Sequence, residues 1–236
     1  MKKTTFYILP VLFLLIISCS KTVKEQALTM KDVFPTQKNT DSTFVFALDT
    51  IISFKNYIEK CEYYEEIANK KQYVRTQNND IPLNINFFIK CHLPTFCPKE
   101  KNTIILEGDF KENKTLFFHE DEKVLSVKNF EEYLNKQLLN WGKDYGYSYS
   151  PDRSIILLRY RDLTDKSKNR LNSVLDTISV SYFNFIRSFK NDNLDSLKSV
   201  YPLQILLEKD FRQFDENGNL IHLPRPPQPA PIEIVE

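Results

Sequence analysis

The sequence contains few of the residues on which the common phosphate-binding and catalytic motifs depend. Its 236 residues include four glycines and three histidines. Glycine allows a backbone to approach a bound phosphate closely, so its scarcity disfavours nucleotide-binding loops. The chain has no Gly-x-Ser-x-Gly elbow, no Walker loop and no His-Glu-x-x-His helix. It therefore offers no catalytic signature and no reason to expect a cofactor or a metal ion.

The chain also lacks a strong excess of charge of either sign. It carries 32 Lys and Arg residues against 31 Asp and Glu residues. Removing Lys2 and Lys3, which stand in the leader described below, takes the 32 basic residues to 30 against the 31 acidic ones. This balance gives no electrostatic reason to expect nucleic acid or an anionic membrane surface as a partner.

The N terminus has the order of a secretory signal peptide. Lys2 and Lys3 precede the uncharged apolar run 6–17, and Ser18 then stands directly before Cys19. The run is interrupted by Pro10 and is shorter than the roughly 20 apolar residues that a membrane-spanning helix needs. We therefore expect residues 1–18 to be a cleaved signal peptide.

The end of this leader, Ile-Ile-Ser-Cys at 16–19, resembles the lipobox of bacterial lipoproteins. The resemblance implies cleavage before Cys19 and acyl chains on its sulfur and its new amino group. Two or more acyl chains hold a protein stably on a bilayer. Residues 19–42 are polar and predict a lipidated tether. Ser20 replaces the aspartate that retains such proteins at the inner membrane in well-studied Gram-negative bacteria, which favours the outer membrane.

Three further cysteines follow the leader. An exported chain meets an oxidising compartment, so Cys91 and Cys97 are candidates for a disulfide. Cys61 falls on the apolar stripe of a predicted helix, which favours a buried, unreactive thiol. Cys91, His92 and Cys97 match no usual zinc-ligand spacing, and a fourth ligand is not evident.

Apolar periodicity predicts three longer helices, over residues 53–70, 129–141 and 165–190. The second places Trp141 on its apolar face, and the third has the clearest stripe. The residues of that stripe are Leu171, Val174, Leu175, Ile178, Tyr182, Phe185, Ile186 and Phe189. Apolar, β-branched or aromatic runs predict strands at 43–47, 85–89, 103–106, 116–118, 154–160 and 203–207.

These elements predict a single small α+β domain over residues 43–223. We expect a mixed, largely antiparallel sheet with the amphipathic helices packed on one face. The 165–190 helix is expected to form the centre of the core.

The C-terminal residues 224–236 form a Pro-rich tail. Asn217-Gly218 predicts a hairpin turn before it. Such a tail cannot pack as a helix or a central strand and is expected to be extended polyproline, serving as a spacer or as a partner-binding element. Its prolines are Pro224, Pro226, Pro227, Pro229 and Pro231.

Three groups of side chains are candidates for chemistry or recognition, and each has an ordinary surface alternative. His119 beside acidic residues 120–122 could work in acid–base catalysis, or it could belong to a solvated loop. Charged residues bracket the 154–160 strand, where surface ion pairs are common. These are Asp152, Arg153, Arg159, Arg161 and Asp162. Tyr145, Tyr147 and Tyr149 could line a carbohydrate or peptide surface, or they could be half-buried loop aromatics.

The middle of the chain carries a family resemblance. In order, it predicts a strand pair, a helix, a central strand, a long helix and a Tyr-Pro stretch, at 103–118, 129–141, 154–162, 171–189 and 201–205. Over about residues 80–207 this order resembles the periplasmic domain of ExbD-type biopolymer-transport proteins, particularly the forms of Bacteroidetes. The resemblance is one of pattern, without a diagnostic motif. It implies a small envelope domain that self-associates or contacts an energiser complex.

The chain departs from that family at its N terminus. ExbD-type proteins have one membrane helix with an aspartate that takes part in ion-driven motion. Here the run 6–17 has no ionisable residue and is expected to be removed, so energy transduction does not carry over. The Pro-rich tail also resembles the proline-rich spans of TonB-like proteins.

These features favour a non-catalytic, lipid-anchored cell-envelope protein that acts as a binding or scaffolding module. An ExbD- or TonB-like transport complex is a candidate partner. Two alternatives stay open. One is a lipid-anchored hydrolase or glycan-binding protein of a nutrient-uptake system, and the other is an immunity or surface-exclusion lipoprotein.

Overall fold

The computed structural model describes thirteen stretches of the chain, which hold most of the predicted domain. They are residues 27–34, 42–48, 56–57, 60–62, 64–67, 69–76, 80–88, 99–107, 116–118, 121–123, 126–160, 165–189 and 193–209. Several predicted features lie outside the described residues. These are the lipidation site Cys19, the cysteines Cys91 and Cys97, all three histidines, Arg161, Asp162 and the Pro-rich tail.

The described residues form helices and strands in alternation. The helices are α1 (Met30–Val33), α2 (Tyr64–Ile67), α3 (Val127–Leu138), α4 (Asp165–Arg187) and α5 (Leu194–Val200). The strands are β1 (Thr43–Ala47), β2 (Lys71–Arg75), β3 (Pro82–Phe88), β4 (Thr103–Glu107), β5 (Leu116–Phe118), β6 (Asp121–Lys123), β7 (Ile155–Tyr160) and β8 (Ile205–Lys209). Short 3-10 turns at Glu100–Asn102 and Pro151–Arg153 precede β4 and β7.

Six strands form one mixed sheet in the order β1-β2-β3-β8-β7-β4, and β5 pairs with β6 separately. The β2–β3 pair is antiparallel, whereas the other four neighbouring pairs of the six-stranded sheet are parallel. The predicted α+β class and mixed sheet are confirmed, but the expectation of a largely antiparallel sheet is wrong. Helical crossovers explain two of the parallel pairs, because the connection from β4 to β7 contains α3 and the connection from β7 to β8 contains α4 and α5.

The helices pack on one face of this sheet, as predicted. Ile156 and Leu158 of β7 join Ile205 and Leu207 of β8 in one apolar cluster with residues of α1, α3, α4 and α5. The alternate residues of the same strands form a second buried cluster on the opposite face. Its members are Ile155, Leu157 and Leu206, with Ile105 packed against them. The central strands are therefore buried on both faces, which suits parallel strands in a sheet centre.

Helix α4 is the longest described element and the centre of the larger cluster. Leu175 and Ile178 are fully buried, and Tyr182 is nearly so. The N-terminal segment also packs against α4, with Phe34 lying 5.9 Å from Tyr182 between ring centroids and Val33 fully buried. The folded domain therefore begins before residue 43, and part of the predicted tether belongs to the core.

Helix α3 starts earlier and ends earlier than the periodicity predicts. Ser126 is its N-cap, and the Ser126 side chain accepts a hydrogen bond from the backbone N–H of Asn129 at 3.2 Å. After Leu138 the chain leaves the helix, and Trp141 and Gly142 both have positive φ. The prediction that Trp141 lies on the apolar helix face is wrong, because its backbone turns the residue out of the helix.

The predicted helix over 53–70 is interrupted. Asn56, Tyr57 and Lys60 are helical, but Cys61 has a φ of 61° and the next described helix begins at Tyr64. A left-handed residue commonly ends a helix. Cys61 is half-buried and disulfide-bonded, so the prediction of a buried free thiol is wrong. Its partner must be one of the three cysteines outside the described residues.

A charge placed at Ile178 should unfold the domain. An unpaired charge in this fully buried position costs several kcal/mol, while whole domains are stable by only about 5–15 kcal/mol. We expect Ile178→Asp to lose its cooperative thermal transition in circular dichroism. Ser173→Asp, at an exposed position of the same helix, should melt like the parent. A cooperative melt of Ile178→Asp at the parent temperature would contradict the central position of α4.

Cys61 should resist alkylation in the native chain without reductant. If Cys19 carries acyl chains on its sulfur, Cys61 pairs with Cys91 or Cys97, and the other of these two is a free thiol. A bond between Cys91 and Cys97 would require Cys61 to pair with Cys19 instead. Peptide mapping after alkylation of the denatured, unreduced lipoprotein should find one labelled cysteine, at 91 or 97. A labelled Cys61 would contradict the disulfide.

Candidate functional site

Large exposed apolar side chains concentrate in one region of the described structure. Six large apolar side chains are exposed among the described residues: Val45, Leu139, Trp141, Tyr145, Tyr149 and Val200. All except Val45 and Val200 lie in the connection between α3 and β7. Apolar side chains grouped on a surface are typical of binding sites, whereas single exposed ones need no explanation.

Ring contacts join this connection to the residue that follows α5. The rings of Trp141 and Tyr201 meet edge to face, with centroids 6.3 Å apart. Tyr149 lies against the backbone of Gly142, where an added Cβ would be 3.4 Å from its Cδ1 atom. We call Trp141, Tyr145, Tyr149 and Tyr201 the aromatic platform. Tyr145 is 82% exposed, Trp141 52% and Tyr149 43%.

A buried asparagine fixes the backbone that carries the platform. The Asn140 Oδ1 atom accepts a hydrogen bond from the backbone N–H of Asp144 at 2.8 Å. Its Nδ2 atom donates to the backbone carbonyls of Asp144 and Ser148, each at 2.8 Å. Asn140 thus holds both sides of the turn that displays Tyr145, and three of its hydrogen-bonding sites have partners.

A buried glutamine ties the same turn to the rest of the domain. The Gln137 Oε1 atom accepts from the backbone N–H of Ser148 at 2.8 Å, and its Nε2 atom donates to the carbonyl of Lys101 at 3.1 Å. The Ser148 hydroxyl donates to the carbonyl of Ser150 at 2.8 Å. Gln137, Asn140 and Ser148 are all buried. A satisfied buried network of this kind rigidifies the segment that it holds.

The backbone at the start of the turn is strained. Trp141 has a φ of 47° and Gly142 a φ of 76°. Glycine adopts this region freely, but a bulky side chain there costs roughly 1–2 kcal/mol. Strained residues of this type persist only where the surrounding structure stabilises them, and they concentrate at functional sites. Here the strained residue is the one tryptophan of the chain.

Tyr201 is held from the core side. Its carbonyl accepts a hydrogen bond from the Tyr182 hydroxyl at 2.7 Å, and its ring stacks on Phe189 at 5.2 Å between centroids. A second contact, edge to face, joins it to Phe185 at 5.2 Å. Burial raises the pKa of Tyr182 well above its ordinary value, so the hydroxyl remains a donor. The platform is therefore connected directly to α4.

A lysine lies over one ring of the platform. The Lys101 Nζ atom is 3.1 Å from the ring centroid of Tyr149. A cation in this position is attracted by the ring face. Its hydrogen bond and its charge lower the pKa of Tyr149 from the ordinary value. Lys101 thus places a positive charge beside the ring of Tyr149, in addition to the exposed Lys143 and Asp144 of the turn.

Among the described charged residues around β7, Asp152 and Arg153 do not form one site with Arg159. Asp152 and Arg153 are exposed before the start of β7, and the Asp152 carbonyl accepts from Gln204 Nε2 at 2.5 Å. Arg159 lies near the other end of the strand and forms an ion pair with Glu208 of β8, at 2.6 Å between Nε and Oε2. The length of β7, about 20 Å, separates the two groups.

The sequence predicts some of the platform residues but not all of them. Tyr145 and Tyr149 are exposed as a recognition surface requires, while Tyr147 is half-buried, like ordinary loop aromatics. Trp141, Tyr201 and Lys101 were not predicted as members. One usable signal was the position of the single tryptophan directly before Gly142, at the end of a predicted helix.

Comparisons with known proteins add no assignment. No family model, no curated protein and no solved structure matches this chain. Among the described residues no group of three His, Cys, Asp or Glu side chains could hold a metal ion. In the same part of the chain, no helix combines the length and apolar character needed to cross a membrane. The resemblance to ExbD-type domains stays a prediction.

Replacing Asn140 should loosen the platform and destabilise the domain. Asn140→Ala removes three hydrogen bonds to buried or half-buried backbone groups, which we expect to cost about 2–4 kcal/mol. Urea unfolding should give a lower midpoint, and Trp141 emission should change before the global transition. Asn135→Ala is the matched control, because Asn135 is exposed on α3 and alanine favours a helix. Equal midpoints for the two variants would contradict the role assigned to Asn140.

Proposed function

We propose that this chain is a lipid-anchored cell-envelope protein whose domain binds a protein partner through the aromatic platform. The observation that carries the proposal is the combination of exposed aromatic rings with a turn fixed by buried polar groups. Trp and Tyr side chains dominate binding energy at protein interfaces, where single residues often contribute about 2 kcal/mol or more. A rigid turn reduces the entropy lost on binding.

The proposed membrane attachment is through Cys19. The signal-peptide order and the lipobox resemblance support cleavage before this residue and its acylation. The serine at position 20 favours the outer membrane over the inner one. The domain would then be displayed at a membrane surface, with the Pro-rich tail at its other terminus as a second candidate contact element.

The proposed partner class is a protein of the envelope. The order of elements over about residues 80–207 makes an ExbD- or TonB-like transport complex the candidate to test first. The hydrolase alternative depends on His119 and acidic residues 120–122. Asp121 and Glu122 belong to β6, whereas His119 and Glu120 lie outside the described residues. The glycan-binding alternative would use the same exposed rings, and the experiment below separates it from a protein partner.

Photo-crosslinking from the platform tests this function. A photoreactive phenylalanine analogue at Tyr145 should give a discrete protein adduct in intact cells, identified by mass spectrometry after purification through a C-terminal tag. The same analogue at Val45, exposed on β1, is the matched control and should not give that adduct. Cys19→Ala should abolish the adduct, because the domain would no longer be held at the membrane. Recovery of the same proteins from both positions would contradict a platform-specific partner.

A further inference from the structure

We propose that the aromatic platform is a polyproline-binding site and that its occupant is this chain's own Pro-rich tail, bound within the same molecule. The inference rests on the proposed function, because it names what covers the platform when no partner is bound. Three observations support it: the exposure of the platform rings, the composition of the tail, and the length of chain between the two.

The chemistry of the two segments is complementary. A polyproline II helix has three residues per turn and no internal hydrogen bonds, and it docks in aromatic-lined grooves because it is already ordered. The tail contains two overlapping Pro-x-x-Pro repeats, from Pro224 to Pro227 and from Pro226 to Pro229. Prolines three apart lie along one edge of such a helix and can face the aromatic rings together.

The tail can reach the platform. Three residues separate Tyr201 from the start of β8, and the tail follows the end of β8 at Lys209. The distance to cover is therefore that of eight residues, at most about 29 Å. Residues 210–223, as a flexible chain, have a root-mean-square length of about 21 Å. If residues 210–223 fold as a hairpin instead, the tail itself can cover most of the distance, because residues 224–231 in polyproline II conformation are about 25 Å long.

This reach favours binding within one molecule. A short flexible linker that can span the distance gives an effective concentration in the roughly millimolar range. Even a weak polyproline site would then be largely occupied by the tail. A protein partner would have to displace the tail, so only ligands that bind the platform more strongly than the tail does would occupy it.

Trp141 reports directly on the occupancy, since it is the one tryptophan of the chain and belongs to the platform. The experiment uses the full lipidated protein in detergent and measures acrylamide quenching of its fluorescence. The test variant replaces the five tail prolines by serine. The matched control also makes five serine substitutions, at Ile232, Glu233, Ile234, Val235 and Glu236.

We expect the quenching constant to rise about twofold in the proline variant, because removing the tail re-exposes the indole ring. The control variant should match the parent, and circular dichroism should be the same for all three proteins. The difference should not depend on protein concentration. Adding a synthetic peptide of residues 223–231 to the proline variant should restore the protection, and Tyr145→Ala with Tyr149→Ala should prevent that rescue.

Two results would overturn the proposal. Equal quenching of parent and proline variant would show that the tail does not cover Trp141. Protection that disappears on dilution would assign the tail to the platform of a second copy. Either result leaves the Tyr145 crosslinking test intact, because that test identifies an adduct with another protein. Loss of the platform-specific crosslink with a persistent tail effect would instead reject the proposed function alone.

Discussion

Burial of helix α4 against the parallel half of the sheet is the contact on which the other parts of this domain depend. Its apolar stripe meets β7 and β8 on one side and packs with α1, α3 and α5 around it. The Tyr182 hydroxyl extends this contact to the carbonyl of Tyr201, and the ring of Phe185 extends it to the Tyr201 ring. Tyr201, and through it the ring of Trp141, is therefore connected to the most buried helix of the fold, while the α3–β7 connection carries the other platform residues.

The platform itself depends on polar groups that the apolar core encloses. Gln137 and Asn140 pair with backbone atoms of the turn, and Ser148 completes the network. Buried polar groups contribute little net stability but are costly when unpaired, so such a network selects one conformation. Trp141, which directly follows Asn140, has a positive φ that bulky residues rarely adopt. The turn thus combines a satisfied buried network with a strained backbone position.

The sequence was informative where structure follows from local pattern. The stripe on α4 and the apolar run of β7 were visible as periodicity and as a continuous buried strand. The strand order was not, because the insertion of β8 between β3 and β7 depends on contacts far apart in sequence. Cys61, where the predicted helix breaks, is disulfide-bonded, and spacing alone does not identify that bond. The platform was only partly visible, because the hydrogen bonds of Asn140 decide the exposure of Trp141 and Tyr145.

The burial of Val33 and Phe34 has a consequence for the search for a partner. Because Val33 and Phe34 are buried in the core and Leu28 packs beside them, only the eight residues 20–27 separate Cys19 from the packed part of the domain. Eight extended residues reach at most about 29 Å. An acylated Cys19 would therefore keep the start of the domain within about 29 Å of the bilayer. The domain would then meet partners by diffusion in the plane of the membrane, and those partners would also have to lie close to that surface.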